Sequence, residues 1–161
     1  MLIGIISDSH DHIGHIAKAA ALFKEHACDL VVHAGDICSP PALRKLEGLP
    51  LAGVLGNNDG EKLGLYKTFE KFGAQFTGDF LELDIDGKKG AVYHGTATAV
   101  TATLIESGRY GYVITGHTHD PVDDTVGQTR VLNPGTAHGF GKTATVMIYN
   151  SSTDKAELFE L

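Results

Sequence analysis

The sequence predicts an α/β fold in which two sheets are flanked by helices. Three observations carry this reading. Through the first half, short apolar runs alternate with segments of helical period, which marks β-α-β units and a parallel sheet. The second half replaces helical period with short strands joined by Gly, Asn and Ser turns. No linker, low-complexity tract or repeat divides the halves, so a single domain is expected over residues 1–161.

Each element has its own signal. Residues 2–6 are a continuous apolar run, as expected of a strand covered on both faces. Ile13, Ile16, Ala17, Ala20, Ala21 and Lys24 follow a helical period, which predicts a helix over 12–26. Residues 30–32 read as a second buried strand, and 40–47 as a short helix with proline at its start. Residues 51–55 give a third strand, and 63–72 a helix ended by Gly73. Residues 80–86 alternate apolar and polar, as a half-exposed strand does, and Gly87 with Lys88-Lys89 turns into a strand over 90–93. A helix over 98–107 is closed by Gly108, and 110–115 form the next strand. Short strands over 121–126, 129–132, 144–149 and 155–161 complete the chain.

Composition narrows the function. A hydrophobic share of 42% and a charged share of 20% are ordinary for a globular protein. The formal charge of −7 argues against a non-specific nucleic-acid binder, which needs clustered Lys and Arg. It leaves a phosphate substrate open, because bound divalent ions reverse the local sign. No apolar stretch approaches the roughly 20 residues of a membrane span. Cys28 and Cys38 make no disulfide framework, and the first apolar run ends too soon for a signal peptide, so a reduced, cytoplasmic protein is expected.

Five segments carry the chemistry: Ser7-Asp8-Ser9-His10, Gly35-Asp36, Gly56-Asn57-Asn58-Asp59, His94-Gly95 and Gly116-His117-Thr118-His119. Each follows an apolar run, so five strand ends present carboxylate, imidazole and amide groups, all ligands for divalent metals. In open α/β sheets the crevice outside the carboxyl ends of the strands is where sites collect. Asp8 and His10 are spaced i, i+2, as are His117 and His119. In extended backbone this spacing puts both side chains of a pair on one side. The donor mixture suits Mn, Fe, Co, Ni or Zn better than Mg or Ca. Taken singly, Asp36 reads equally well as a helix N-cap before 40–47, and Asn57 as a turn residue. Asp59 reads as a turn residue or one that orients a ligand, His33 as packing beside the site, and His15 and His26 as solvated helix residues.

In order, these five segments match the motifs of the calcineurin-like metallophosphoesterases, and the chain resembles that family from about residue 3 to 140. Asn133-Pro134-Gly135-Thr136 resembles a motif of its small phosphodiesterase branch. The resemblance implies a four-layer α-β-β-α sandwich with two mixed sheets. It also implies a dinuclear centre: Asp8, His10 and His119 on one ion, Asn57, His94 and His117 on the other, and Asp36 bridging. Mn or Ni comes first for the two divalent ions, with Fe, Co or Zn as alternatives. A water or hydroxide between them would attack phosphorus in line. Many members carry a histidine acid where this chain has Asn58, so Asn58, Asp36 and His138 are the catalytic positions in question. His138 or His12 would contact phosphate or donate the proton. The expected partner is a small phosphodiester or nucleotide-like substrate, with no long nucleic acid and no membrane. A homodimer stays open. The rival readings are a phosphomonoesterase and, as in the related retromer subunit, a non-catalytic metal-binding scaffold.

Overall fold

Alternate residues of the first strand serve two different cores in the computed structural model, which describes residues 1–161. Strand β1 (Leu2–Ile6) sends Ile3 and Ile5 to one side and Ile6 to the other, all fully buried. After helix α1 (Ile13–Glu25), strand β2 (Leu30–His33) repeats the pattern, with Leu30 and Val32 opposed to Val31. A period of two thus makes an unbroken apolar run into a wall with two hydrophobic faces.

The chain continues through α2 (Pro40–Leu43), β3 (Leu51–Gly53), α3 (Lys62–Lys71), β4 (Gln75–Phe76), β5 (Phe80–Ile85), β6 (Lys88–Tyr93) and α4 (Thr98–Glu106). Strands β7 (Tyr112–Ile114), β8 (Pro121–Val126), β9 (Thr129–Pro134), β10 (Thr145–Asn150) and β11 (Lys155–Glu160) follow. The first sheet has the order β11-β10-β1-β2-β3-β4, with β1 to β4 mutually parallel and β10 antiparallel to both β1 and β11. The second has the order β5-β6-β7-β9-β8, parallel in its centre and antiparallel at both edges. Both sheets are therefore mixed.

Three clusters of buried side chains stack these parts in layers. Ile16, Phe23, Leu43, Leu65 and Phe69 cover the outer face of the first sheet with helices α1, α2 and α3. Ile3, Val32 and Tyr149 of that sheet meet Leu83, Val92, Ile114 and Leu132 of the second. Ala91 and Val113 on the far face pack under Leu104 and Ile105 of α4. The order helix, sheet, sheet, helix is the expected one. Contact between α1 and β1 is close enough to select a residue type. A Cβ on Gly4 would stand 2.6 Å from the Phe23 ring, so only glycine lets the helix sit down here.

Strand β3 stops at Gly53 rather than at residue 55, β6 takes in Lys88 and Lys89, and three further elements differ from expectation. The helix expected over 40–47 is one α-turn, Pro40–Leu43, tightened into a 3₁₀ turn at Arg44–Leu46. Gly48 and Pro50 follow at once, and a 3₁₀ turn closes a helix end in fewer residues. Strand β4, two residues long, carries too little pattern to be read and exists by pairing with β3. The strand expected over 110–115 is confined to Tyr112–Ile114.

The parallel direction places the site. Strands β1, β2 and β3 all point their carboxyl ends one way, delivering the loops of Asp8, Asp36 and Asn57 to one sheet edge. In the second sheet β6, β7 and β9 run parallel and deliver His94, the His117–His119 turn and the turn after Pro134.

Candidate metal centre

The loops that carry the candidate ligands are tight turns rather than strand extensions. Asp8, His10, Asp36, His117 and His119 have φ of 51°, 39°, 57°, 68° and 60°, in the left-handed region that side chains disfavour. This corrects the expectation for the two i, i+2 pairs: strand alternation ends at Ile6 and Ile114, and the turn geometry aims the side chains. Each such residue costs about 1–3 kcal/mol and persists only where its surroundings over-determine it. Here they do. Asp8 N–H donates to the Gly35 carbonyl at 3.0 Å, and the N–H groups of Ser9 and His10 both donate to the Asp36 carbonyl at 3.0 Å. Asp59, buried, gathers the other side. Its Oδ1 accepts from the N–H groups of Ile37 (2.7 Å) and Cys38 (2.6 Å), and its Oδ2 from those of Gly56 (2.6 Å) and Asp36 (3.1 Å). Burial pushes the Asp59 carboxyl up, the Asp36 charge adds to this, and the donors oppose it.

Two carboxylates and three imidazoles meet at the centre. Asp8 turns Oδ2 to Ser7 Oγ (2.6 Å) and to the His117 N–H (3.0 Å). Its Oδ1 faces Nε2 of His119 at 3.1 Å and those of His10 and His94 at 3.9 Å. Asp36 Oδ2 lies 3.4 Å from His10 Nε2 and 3.3 Å from His94 Nε2. Ligand atoms of Asp8, His10 and His119 lie within 4.8 Å of one another, and so do those of Asp8, Asp36 and His94. Asp8 thus joins both clusters, and Asp36 touches an imidazole of each.

This arrangement asks for a cation. His94 Nδ1 stands 2.7 Å from the Ala34 carbonyl, which can only accept, so that nitrogen carries the proton. In the neutral ring Nε2 is then a bare lone pair aimed at a carboxylate. His94 Nε2 and His10 Nε2 are both buried with no hydrogen-bond partner. Burial alone would lower His94, but the nearby carboxylates of Asp36 and Asp8 outweigh it and raise its pKa. Burial opposes ionisation of Asp36 too, yet His94 and Asn58 hold its carboxyl well below the usual carboxylate range. Anionic oxygens facing orphaned nitrogens form a stable set once a positive ion lies among them, and this donor set fits a divalent transition metal.

A sequence profile described as the calcineurin-like phosphoesterase superfamily domain matches residues 1–154. The chain belongs to this superfamily. Phosphodiesterase MJ0936 of Methanocaldococcus jannaschii is 35% identical over 164 residues, spanning 100% of this chain and 98% of its own. The solved structure of an archaeal phosphodiesterase has a TM-score of 0.94 at 33% identity and covers 100% of both chains. Vps29 of Entamoeba histolytica, solved in complex with Zn²⁺, shares the fold at 19% identity and a TM-score of 0.64, over 99% of both chains. Membership makes the chain a hydrolase of phosphoric esters, in a family whose chemistry uses divalent metal ions.

The remaining candidates of this phosphoesterase lie around that centre. The His117 ring stands edge-on to His94, 5.2 Å between centroids, and outside the two clusters. Asn57 is exposed, and its Oδ1 accepts from Thr96 Oγ1 at 3.3 Å. Asn58 donates to Asp36 from its backbone N–H and its side-chain amide, each at 2.8 Å. His138 is at the rim, stacked on Phe140 at 3.9 Å and edge-on to His10 at 6.2 Å. Burial, then the imidazoles of His12, His10, His15 and His119, pull its pKa down. His12 caps α1, its Nδ1 accepting from the His15 N–H at 3.1 Å. His15 is no merely solvated residue, because its Nδ1 donates to the Ala137 carbonyl at 2.7 Å. Nor is His26, whose Nδ1 donates to the Leu22 carbonyl at 3.0 Å and whose ring sits edge-on to Phe159. His33 links two loops, with Nδ1 accepting from Gly35 N–H (3.2 Å) and Nε2 donating to Ser9 Oγ (3.0 Å). Burial pulls the His33 pKa down to about 3, so its ring stays neutral. Asp36 is not a helix cap, since α2 starts after Ser39.

Sequence reasoning gave Ser7, Asn133 and Thr136 as motif residues without their roles and missed Phe140. Ser7 Oγ holds Asp8. Asn133 Nδ2 donates to the Gly116 carbonyl (2.9 Å) and Thr118 Oγ1 (3.1 Å), and Thr136 Oγ1 donates to the Asp8 carbonyl (3.0 Å). Phe140, half exposed, stacks on His119 and sits edge-on to His10. Only the flanking glycines of Phe140 hinted that an aromatic was being displayed.

Proposed function

We propose that this phosphoesterase is a phosphodiesterase working with two divalent first-row metal ions, Mn or Ni before Fe, Co or Zn. Asp8, His10 and His119 would hold one, Asn57, His94 and His117 the other, with Asp36 shared. The observation that carries this is Asp36 Oδ2 lying 3.3 and 3.4 Å from two buried, unpartnered imidazole nitrogens. When bound, the ions would neutralise charge developing on the phosphoryl oxygens and acidify a water for in-line attack.

The protein residues prepare that chemistry. Asp36 stays ionised under the two donors of Asn58. The Ala34 carbonyl fixes the His94 tautomer, and Cys38 Sγ lies 3.6 Å from His10 Nδ1 on the far side of that ring. At His138, the Phe140 N–H occupies Nδ1 at 3.2 Å, so the neutral ring keeps its proton on Nε2, ready to donate to a phosphoryl oxygen. A hollow of about 240 Å³ opens beside Asn57, lined by Lys62, Asp79, Tyr93 and Thr96. The hollow gives room beside the centre for part of a small phosphodiester or nucleotide-like substrate, and the charge of −7 supports such a substrate over a polymer. The proposed setting is reduced and cytoplasmic, as two cysteines in 161 residues make no disulfide framework.

Hydrolysis of bis-p-nitrophenyl phosphate by protein loaded with Mn²⁺ or Ni²⁺, beside p-nitrophenyl phosphate, tests the proposal. Faster turnover of the diester is expected, and Asp36→Ala should abolish it together with paired metal binding. Preferred turnover of the monoester would replace the reading with a phosphomonoesterase. No turnover by folded, metal-loaded protein would leave a metal-binding scaffold.

A further inference from the structure

We infer that Asn58 is a positioning residue, which sets the pitch of the Asp36 carboxylate between His10 and His94 and takes no part in protonating the leaving group. The inference rests on the metal-centre reading above. A carboxylate only accepts, so the amide group facing it is the NH₂. Asn58 therefore places two donors on one carboxylate: its backbone N–H on Oδ1 at 2.8 Å and its Nδ2 on Oδ2 at 2.8 Å. A single donor would leave the carboxylate free to rotate about its last torsion. Two donors from one residue fix its plane, as a fork of two parallel hydrogen bonds does elsewhere. With the plane fixed, Oδ2, the oxygen that takes the Nδ2 donor, is the atom at 3.3 and 3.4 Å from His94 and His10.

The rest of the segment serves the same carboxylate. A Cβ on Gly56 would lie 2.2 Å from Asp36 Oδ1, so glycine makes the room. Asp59 Oδ2 takes the Asp36 N–H at 3.1 Å. Gly56, Asn58 and Asp59 form one cradle, and only Asn57 turns out of it, toward Thr96. An amide committed to a buried carboxylate is not available to an ester oxygen, and an amide has no proton to give near neutral pH. The position where many relatives carry a histidine acid has here been given over to the shared metal ligand.

The test uses the whole 161-residue chain as Asn58→Ala and Asn58→Asp. Asn58 is exposed, so neither change opens a core. The alanine keeps the backbone donor and loses the side-chain one; the aspartate keeps the shape and turns a donor into a repelling acceptor. Mn²⁺ affinity of metal-stripped protein is read by calorimetry, and coupling between bound Mn²⁺ ions by electron paramagnetic resonance. Rates are compared on aryl phosphodiesters with good and poor leaving groups. Asn58→Ala should weaken Mn²⁺ binding by about 10–100-fold, the range for residues that orient metal ligands, and Asn58→Asp should weaken it further. The fold-loss in rate should be equal for nitrophenolate and phenolate. Variants that bind Mn²⁺ as tightly as wild type overturn the proposal, as does a loss confined to poor leaving groups. Wild-type protein that binds no Mn²⁺ overturns the metal-centre reading together with this one. Wild-type protein that binds Mn²⁺ but cleaves no diester overturns the activity reading alone, and the affinity comparison then decides the role of Asn58.

Discussion

Single residues at this centre act through the shape they force on their neighbours. Asp59 is the clearest case. Its carboxylate accepts four backbone N–H groups from two loops, and no apolar replacement can satisfy them. Leaving a buried donor unpaired costs about 1–3 kcal/mol. Asp59→Ala is therefore expected to lower the unfolding free energy by roughly 3 kcal/mol or more, measured by urea denaturation, and to weaken metal binding because Asp36 loses its anchor. A stability near wild type would show that the donors find other partners. The sequence made Asp59 a turn residue or an orienting one. It could not show the number of bonds, because the partners at 36–38 lie more than 20 residues away.

At the scale of elements, strand alternation and helix placement decide how precisely the loops are delivered. β1 lies between two cores, and α1 presses on it so closely that position 4 admits no side chain. Gly4→Ala should cost about 1–3 kcal/mol, as overpacking generally does, in a chemical denaturation series. Catalysis of the folded fraction should stay close to wild type, since Gly4 lies mid-strand and faces the Phe23 ring of α1 rather than the site. A larger fall in activity than in stability would mean that α1 and β1 shift together and carry the Asp8 loop with them. The 3.6 and 2.0 periods made most elements legible from the chain. Two-residue β4 and the 3₁₀ turn were not, because elements that short are defined by what they pair with or run into.

For the whole molecule, two sheets packed face to face bring their carboxyl ends to one edge, and acidic and imidazole groups from five loops crowd there. The folded chain gathers donors that the unfolded chain scatters, so metal binding should stabilise the fold. A metal present at a hundred times its dissociation constant adds about 2.7 kcal/mol. The thermal midpoint of metal-stripped protein should rise on titration with Mn²⁺ and fall back with a chelator, while Asp36→Ala should show a much smaller rise. An equal rise in both would place the stabilising metal elsewhere.

Local pattern supplied the ligand-bearing segments, their order along the chain and the strand ends that carry them, and the family resemblance supplied the ligand roles, that of His94 above all. Pattern could do so because apolar periodicity and the Gly-flanked Asp, Asn and His segments are properties of neighbouring residues. What the chain could not reveal was how the groups face one another. That Asp8 Oδ1 and Asp36 Oδ2 look onto the same imidazoles depends on how two sheets stack. That Asn58 holds a carboxylate rather than overlooks a substrate depends on a turn closing against another loop. Distances of 3 Å between residues 20 to 110 positions apart are set by tertiary packing, and no spacing rule within one segment contains them.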